Sequence, residues 1–395
     1  MERIDKNVKS PLIRFAGFED EWERRRLKEG ASEIGDGLHG TPKYDDVGDV
    51  FFVNGNNLVN GKIVITPETN KVTTDEQSKA DKTLDKNTIL ISINGTIGNL
   101  AWYNNEKLML GKSIAFIKVD GFDKKFIYTF LQTSGVKTYY LNSLTGTTIK
   151  NLGLKAIRET PIKVPKLQEQ TKIGKFFKEI DHLLTIHQSE YDKLATVKKS
   201  LLQKMFPQEG ETVPEIRFAG YTVAWEQRPI NDLADRYDNL RIPIKESNRV
   251  SGRTPYYGSN GIQDYVEGYT HDGEFILVAE DGANDLKNYP VQYVNGRVWV
   301  NNHAHVLQSK TQIADNRFLM FAIQQTDIEP FLVGGGRAKL NADAMMKIVL
   351  CIPELAEQKP IGKLFQELNA LLTIHQRELS KLQKIKKALL QKMFV

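Results

Sequence analysis

The chain has 395 residues, a length typical of two or three domains. Its 40% hydrophobic and 26% charged residues are ordinary for a globular protein and argue against disorder as the main state. The single cysteine, Cys351, excludes a disulfide framework and any zinc site built from several cysteines. The net charge of +5 permits nucleic acid as a partner without requiring it.

Apolar runs are short throughout the sequence. None approaches the roughly 20 residues of a membrane helix, and the charged first ten residues lack the apolar stretch of a signal peptide. We therefore expect a soluble protein in the cytoplasm.

The first element along the chain is a segment that occurs twice. Residues 11–27 match residues 214–230 at 9 of 17 positions. Residues 28–164 and 231–352, which follow the two copies, look mostly unlike each other but are both rich in Gly, Asn, Thr and aromatic residues. Short β-branched runs predict strands, and two stretches predict helices, so small mixed α/β domains are expected. The predicted strands are Thr88–Ile93, Ser113–Val119, Phe275–Val278 and Val298–Val300; the predicted helices are Lys125–Leu141 and Asn316–Gln325.

A second repeat closes each half of the chain. Residues 165–206 and 353–394 align without a gap and are identical at 26 of 42 positions. Apolar positions at alternating steps of 4 and 3 predict a long helix with a heptad seam. In the first copy the phase then slips to Val197, Leu201 and Met205, and in the second copy Pro360 is expected in the opening turn. The seam residues are Ile173, Phe177, Ile180, Leu184, His187, Tyr191 and Leu194 in the first copy, and Ile361, Phe365, Leu368, Leu372, His375, Leu379 and Leu382 in the second.

Two helices of about 54 Å with one apolar stripe each are expected to pair with each other. The domain between them lets the second helix run back, which favours an antiparallel pair. His187 and His375 should then approach each other near a pseudo-two-fold axis, as a polar pair that fixes the register rather than a metal or proton site. The alternative is two unrelated surface helices on separate domains.

Motifs for chemistry are absent or incomplete. Gly111-Lys112-Ser113 resembles the end of a phosphate-binding loop, but Glu106 stands where its first glycine belongs. His303 and His305 would lie on the same face of a strand, but no third metal ligand is evident. We find no nucleophile elbow and no zinc-protease helix. The chain is therefore predicted to be a binding protein without a catalytic or metal site.

Several motifs together resemble the specificity subunit of Type I restriction–modification systems, over essentially the whole chain. The two segments that begin at Pro165 and Pro353 look like the starts of that family's central helical regions. Residues 36–44 (DGLHGTPKY) and 94–98 (NGTIG) are similar to its recognition-domain loops. Residues 254–261 and 301–307 also look like family motifs. The second half lacks the DG-x-H-x-TP loop, so its recognition domain is expected to be a different subtype.

The resemblance implies an α+β fold with circular, pseudo-two-fold internal symmetry. Two mixed α/β target recognition domains, 1–160 and 214–350, would be joined by helical regions 161–206 and 351–395 that form an antiparallel coiled coil, with a linker at 207–213. Each domain would recognise one half of a split, asymmetric target in double-stranded DNA. The chain would have no catalytic residue, metal or cofactor of its own. Two methyltransferase subunits would bring S-adenosylmethionine, and restriction subunits would bring ATP and Mg²⁺.

Candidate DNA-contacting residues follow from these loops. The candidates are His39, Thr41, Lys43, Tyr44, Asn94, Thr96, Thr147 and Lys150 in the first domain, and Tyr257, Ser259, Asn260, Asn284, Asn302, His303, Arg337 and Lys339 in the second.

Two other functions are alternatives to DNA recognition. One is a coiled-coil scaffold that bridges two copies of a protein partner without touching DNA, and the other is an enzyme that acts on nucleic acid with an unrecognised site.

Overall fold

The structure, a computed structural model, describes residues 10–148, 150–208, 210–334 and 338–394. It divides into two compact units. The first unit comprises the described residues up to His187 together with those from Glu378 onward, and the second comprises those from Gln188 to Arg377. Each unit therefore contains one diverged domain and parts of both long helices.

The first unit is built mainly from short strands. Three 3₁₀ turns, Leu27–Gly30, Gly55–Asn57 and Thr74–Glu76, connect them. The strands are β1 (Glu23–Arg26), β2 (Ala31–Asp36), β3 (Val50–Val53), β4 (Leu58–Val59), β5 (Lys62–Ile63), β6 (Lys71–Val72), β7 (Thr88–Ser92), β8 (Leu100–Trp102), β9 (Leu108–Leu110), β10 (Ile114–Val119) and β11 (Pro161–Val164). The helices are α1 (Lys79–Lys82), α2 (Lys124–Leu131), α3 (Ser134–Asn142) and α4 (Leu154–Arg158), followed by the long α5 (Leu167–Met205).

An antiparallel sheet in the order β2-β10-β7-β8 forms the centre of this unit. Strands β7 and β10 are buried along their whole length, as their runs of Ile, Leu and Ala dictate. A second sheet, β6-β3-β9, pairs β3 with β9 in parallel. The predicted helix Lys125–Leu141 is wrong in one respect, because Thr133 caps a new helix and divides it into α2 and α3.

The second unit has longer strands. Its 3₁₀ turns are Asp238–Leu240, Glu246–Asn248 and Glu329–Phe331. The strands are β12 (Glu226–Pro229), β13 (Ala234–Arg236), β14 (Ser251–Gly258), β15 (Gly261–Val266), β16 (His271–Ala279), β17 (Val291–Val300), β18 (Ala304–Ser309), β19 (Leu332–Val333), β20 (Lys339–Leu340) and β21 (Val349–Ile352). The helices are α6 (Ile230–Leu233), α7 (Asn316–Gln324), α8 (Ala342–Met346) and the long α9 (Leu355–Lys392).

The two diverged domains share one connectivity despite their unlike sequences. The second sheet runs β13-β18-β16-β17-β14-β15, and its first four strands follow the same chain order as β2-β10-β7-β8. Strand pairs β1–β11 and β12–β21 close the two domains in the same way. The second domain differs by the hairpin β14–β15, which adds to the sheet through a parallel pairing with β17.

The heptad positions of both long helices are shielded from solvent. Ile173, Phe177, Ile361 and Phe365 are at most 1% exposed, and the remaining seam positions are buried or half-buried. The predicted continuation through Val197 is wrong, since that side chain is 48% exposed and Lys198 is half-buried in its place. Lys198 Nζ lies 5.8 Å from the Phe321 ring centroid, and burial lowers the pKa of its ammonium group.

Within each unit, the end of one long helix packs near the start of the other. In the first unit Phe394 lies 6.0 Å from Phe177 between ring centroids, and Lys386 Nζ lies 2.6 Å from Asp181 Oδ1. In the second unit Phe206 lies 6.0 Å from Phe365. These contacts confirm the antiparallel arrangement and the predicted α+β fold class. His187 belongs to the first unit and His375 to the second, and their approach stays a prediction.

The repeated segments fasten the long helices to the domains by identical contacts. Arg14 donates two hydrogen bonds to Glu169, at 2.7 and 2.8 Å, and Arg217 does the same to Glu357, at 2.8 and 2.6 Å. Glu169 and Glu357 are at most 1% exposed, so the two-bond pairing offsets the cost of burying a carboxylate. The arginine and the glutamate occupy equivalent repeat positions in both copies, although they are 155 residues apart in the first and 140 in the second.

A glycine in each long helix permits close approach of the next element. A Cβ at Gly174 would lie 2.7 Å from the backbone nitrogen of Phe126, and one at Gly362 would lie 2.6 Å from that of Phe318. A side chain at either position would force the adjacent helix to shift. The preceding glutamine, Gln170 or Gln358, accepts a hydrogen bond from the residue that caps the adjacent helix, at 2.9 and 3.0 Å.

One pair of positions differs between the copies in a correlated way. Pro360 lies inside α9 rather than in its opening turn, because the helix begins at Leu355, so Pro360 cannot donate to the carbonyl of Ala356. The Tyr221 hydroxyl donates to that carbonyl at 2.9 Å. The equivalent residues in the first unit are Lys172, which has a backbone N–H, and Phe18, which has no hydroxyl.

Candidate nucleic-acid interface

Loops at one edge of the first sheet form a continuous surface. Leu38 follows β2 and bridges Gly111, which precedes β10. Asn94, in the turn after β7, bridges Asn151 in the loop before α4. The backbone N–H of Gly55 donates to Ser113 Oγ at 2.8 Å. The edge therefore joins the two loops with family motifs to three others.

Four sequence candidates lie in or beside one cavity at this edge. His39, Thr41 and Tyr44 line a cavity of about 260 Å³ together with Lys112. His39 Nε2 lies 2.8 Å from Asp36 Oδ2, and the Tyr44 ring packs at 5.9 Å on Phe52. Lys43 is exposed but does not line the cavity. The remaining lining residues are Gly40, Phe52 and Asn54.

The other first-domain candidates divide into turn-forming and exposed residues. Asn94 Nδ2 donates to the Lys112 carbonyl at 3.4 Å, and Thr96 Oγ1 donates to the Gly55 carbonyl at 3.2 Å. Both side chains thus support neighbouring loops. Thr147 and Lys150 are exposed in the loop that reaches Asn94. Neither side chain hydrogen-bonds to another residue that the structure describes, so both are available to an external partner.

The second sheet has an edge built from corresponding loops. Asn260, in the β14–β15 turn, donates from Nδ2 to the Gly282 carbonyl at 2.8 Å and accepts from the Asn284 backbone N–H at 3.0 Å. Its amide group is therefore committed to holding the loop after β16. Ser259 is only 9% exposed, and burial raises the pKa of the neighbouring Tyr257 hydroxyl. Asn284 itself is exposed.

The turn before β18 carries Asn302 and His303. His303 is not on the strand, and its Nδ1 lies 2.7 Å from Asp281 Oδ1, whereas His305 points into the interior. The two imidazoles therefore do not lie side by side on one face of a strand, as their spacing predicts. The Asn302 side chain is exposed. Arg337 lies outside the described residues.

A partly buried charge network lies beneath this edge. His305 Nδ1 lies 2.7 Å from Asp238 Oδ2, and its Nε2 lies 2.9 Å from the Leu340 carbonyl. Glu280 accepts from Arg241 at 2.6 Å and lies 2.8 Å from Lys339 Nζ. Lys339 is therefore already paired.

The network keeps its carboxylates ionised. Burial opposes ionisation of Asp238, but the hydrogen bond and charge of His305 outweigh it, so the pKa of Asp238 is lowered. Burial also opposes ionisation of Glu280, and hydrogen bonds from Lys339 and Arg241 outweigh it, so its pKa is lowered too. Ligand atoms of Asp238, Glu280 and His305 lie within 4.8 Å of one another, as in metal sites. The paired cations already neutralise this group, which makes it a structural ion network.

Both halves of the chain match one family model. The model describes the Type I restriction modification DNA specificity domain, and it matches residues 19–196 and 222–384. The chain belongs to this family. The family that the motifs indicated is confirmed, and each match contains one of the two sheets.

Relatives of this specificity-domain chain carry corresponding descriptions. A putative type I restriction enzyme specificity subunit of Haemophilus influenzae is 47% identical over 152 residues, which are 38% of this chain and 39% of that protein. The MjaVIII specificity subunit of Methanocaldococcus jannaschii is 20% identical over 324 residues, 73% of this chain and 75% of the relative. The match to the first relative thus spans less than half of its length.

A solved structure shows the same fold. The S subunit of a Type-I restriction-modification system from M. genitalium matches with a TM-score of 0.73 at 17% identity, over 98% of this chain and 99% of that one. Within the part of the specificity-domain chain that the structure describes, no helix is both long and apolar enough to cross a bilayer.

One residue at the first edge was not among the sequence candidates. Lys112 lies in a Gly-Lys-Ser string that fails as a phosphate-binding loop, so the motif does not single it out as a binding residue. Its position next to the predicted strand Ser113–Val119 was the available signal, since residues at strand ends form the edge of a sheet.

Proposed function

We propose that the chain is the DNA sequence-recognition subunit of a Type I restriction–modification complex. Each unit recognises one half of a split, asymmetric target in double-stranded DNA through the loops at its sheet edge. The chain contributes no catalytic residue. Methyltransferase and restriction subunits supply S-adenosylmethionine, ATP and Mg²⁺, and the complex acts on DNA in the cytoplasm.

One observation carries this proposal. The same sheet edge is built twice on one connectivity, and the side chains that it presents differ between the two copies. Two binding surfaces with one scaffold and different side chains suit two different half-sites.

Exposed aliphatic residues on the long helices support docking of two identical partner subunits. The first unit presents Leu183, Ile186 and Ile385. At the equivalent positions of the repeat, the second unit presents Leu371, Ile374 and Val197. All six side chains are 40–53% exposed. Large exposed aliphatic side chains at repeated positions are typical of protein interfaces.

A domain exchange tests DNA recognition. Residues 28–160 are replaced by the corresponding segment of another specificity subunit, which leaves the strand pair β1–β11 and α5 intact. The methylated motif should change in one half-site and stay the same in the other. The matched control exchanges residues 231–348 between β12 and β21, and should change only the other half-site. A change in both half-sites, or in neither, contradicts the proposal.

Direct DNA binding separates recognition from scaffolding. The complex with its methyltransferase subunits is titrated against its methylated motif and against a scrambled duplex at several salt concentrations. Recognition predicts preference for the motif and binding that weakens with salt as phosphate contacts are lost. A scaffold that only bridges two protein partners gives no salt-dependent binding.

Docking has a test of its own. The double substitution Leu183→Ser and Ile186→Ser should remove one of two methyltransferase subunits, and Leu371→Ser with Ile374→Ser should remove the other. Native mass spectrometry of the complex measures the stoichiometry. A complex that keeps both methyltransferase subunits in each variant contradicts docking at these positions.

A further inference from the structure

The turn before β10 in the first unit and the turn before β18 in the second occupy equivalent places in the two sheets. The N–H of Ile93 donates to the Ser113 carbonyl at 2.8 Å, and the N–H of Glu280 donates to the His303 carbonyl at 2.9 Å. A second pair of bonds supports the same equivalence: Leu152 to Ile93 at 2.9 Å and Leu340 to Glu280 at 2.7 Å. Ser113 therefore corresponds to His303, and Lys112 corresponds to Asn302.

The backbone that carries Lys112 is held from several sides. A Cβ at Gly111 would lie 2.3 Å from Asn54 Oδ1, so the turn packs tightly on that side chain. Ser113 Oγ donates to the same Asn54 Oδ1 at 2.8 Å, and the Lys112 carbonyl accepts from Asn94. Lys112 thus projects from an immobilised turn, which favours geometric selectivity for a ligand.

The side chain of Lys112 makes no hydrogen bond or ion pair within the described part of the chain. It is exposed and lines the cavity with His39, Thr41 and Tyr44. Across residues 10–148 and the other described ranges, no carboxylate lies within ion-pair distance of Lys112, whereas Lys107 pairs with Asp49 at 2.7 Å. In the second unit the Asn302 side chain is likewise exposed and makes no hydrogen bond to the described residues.

The two side chains have different base preferences. An ammonium group donates to the O6 and N7 acceptors of guanine, whereas an asparagine amide pairs with N6 and N7 of adenine. We propose that Lys112 and Asn302 are specificity-determining residues, with Lys112 recognising a guanine in the first half-site and Asn302 an adenine in the second. This inference rests on the proposed function and assigns the side chains that separate the two half-sites.

The test uses the full complex with its methyltransferase subunits. Lys112→Gln should relax one guanine position of one half-site in the methylated motif and leave the other half-site unchanged. Discrimination at that position, measured by competition between matched and single-mismatch duplexes, should fall roughly 5- to 150-fold. Asn302→Ala should relax one adenine position of the other half-site. Lys107→Gln, an exposed lysine outside the edge, is the matched control and should change neither.

Three outcomes overturn the inference. In the first, Lys112→Gln weakens binding to all duplexes equally and lowers the salt dependence by about one phosphate contact, which identifies a backbone contact. In the second, Lys112→Gln changes neither motif nor affinity. In the third, the position that relaxes is not a guanine. Failure of the proposed function is distinguishable, because the unsubstituted complex would then show no preference for any motif.

Discussion

Truncation of Phe206 tests whether the end of one long helix stabilises the second unit. Phe206 is 6% exposed, and its ring centroid lies 5.9 Å from Trp225, 5.6 Å from Phe318 and 6.0 Å from Phe365. Phe206→Ala removes the ring from the centre of these three aromatic side chains. Substitutions of this kind cost about 3–5 kcal/mol, which is a large part of the 5–15 kcal/mol of a typical domain.

Hydrogen exchange with mass spectrometry is the suitable assay, because a chain with two units need not unfold in one transition. Protection of Asn316–Gln324 in the second unit should fall in Phe206→Ala. Phe394→Ala should reduce protection of Lys124–Leu131 in the first unit, because Phe394 packs on Phe126 at 5.4 Å. Val197→Ala, at a 48% exposed position, is the control and should change the free energy of opening by no more than about 0.5 kcal/mol. If Phe206→Ala lowers the free energy of opening of Asn316–Gln324 by less than about 1 kcal/mol, the packing argument is refuted.

Three further predictions concern stability. Tyr221→Phe should lower the stability of the second unit by about 0.5–1 kcal/mol, because the carbonyl that Pro360 leaves unpaired loses its donor. This cost should vanish in a Pro360→Lys background, as a double-mutant cycle followed by hydrogen exchange of α9 would show, and an equal cost in both backgrounds contradicts it. Gly362→Ala should lower the melting temperature because its Cβ meets backbone at 2.6 Å, whereas Gly135→Ala, with open space around it in α3, should leave it unchanged or raise it. Burial lowers the pKa of His271 below the usual 6.5, although its hydrogen bond to the Tyr237 carbonyl and the charge of Asp238 oppose this. The unfolded chain therefore binds more protons than the folded one below pH 6.5, and stability should fall as pH decreases from there; His271→Gln should lessen this fall in melts between pH 7 and 5, and an unchanged pH profile contradicts the assignment.

The repeated parts of the fold were accessible from sequence because their contacts are encoded by regular spacing. The heptad steps located the buried face of both long helices, from Ile173 and Ile361 onward. The arginine–glutamate pairs are not predictable from periodicity, since Arg14 and Glu169 are 155 positions apart in the sequence. Their recurrence in both copies was the available indication.

The diverged domains show where sequence reasoning ends. A common connectivity was hidden because buried strands need only apolar side chains of suitable size, which leaves little identity between β7 and β16. The site candidates came from polar loops, and the structure separates them by what each side chain already bonds. Asn260 and Lys339 are engaged within the fold, whereas Thr147 and Asn302 are exposed. Only tertiary contacts make that distinction.

The pair Tyr221 and Pro360 shows how one substitution can lower the cost of another. If the ancestral repeat carried Phe and Lys, as Phe18 and Lys172 do now, a tyrosine could arise first at little cost because its hydroxyl lies at a half-buried position. A proline arising first would have left a helix carbonyl without a donor. The Tyr221 hydroxyl thus supplies the donor that Pro360 lacks, whereas the first copy, with Phe18 and Lys172, needs no such compensation.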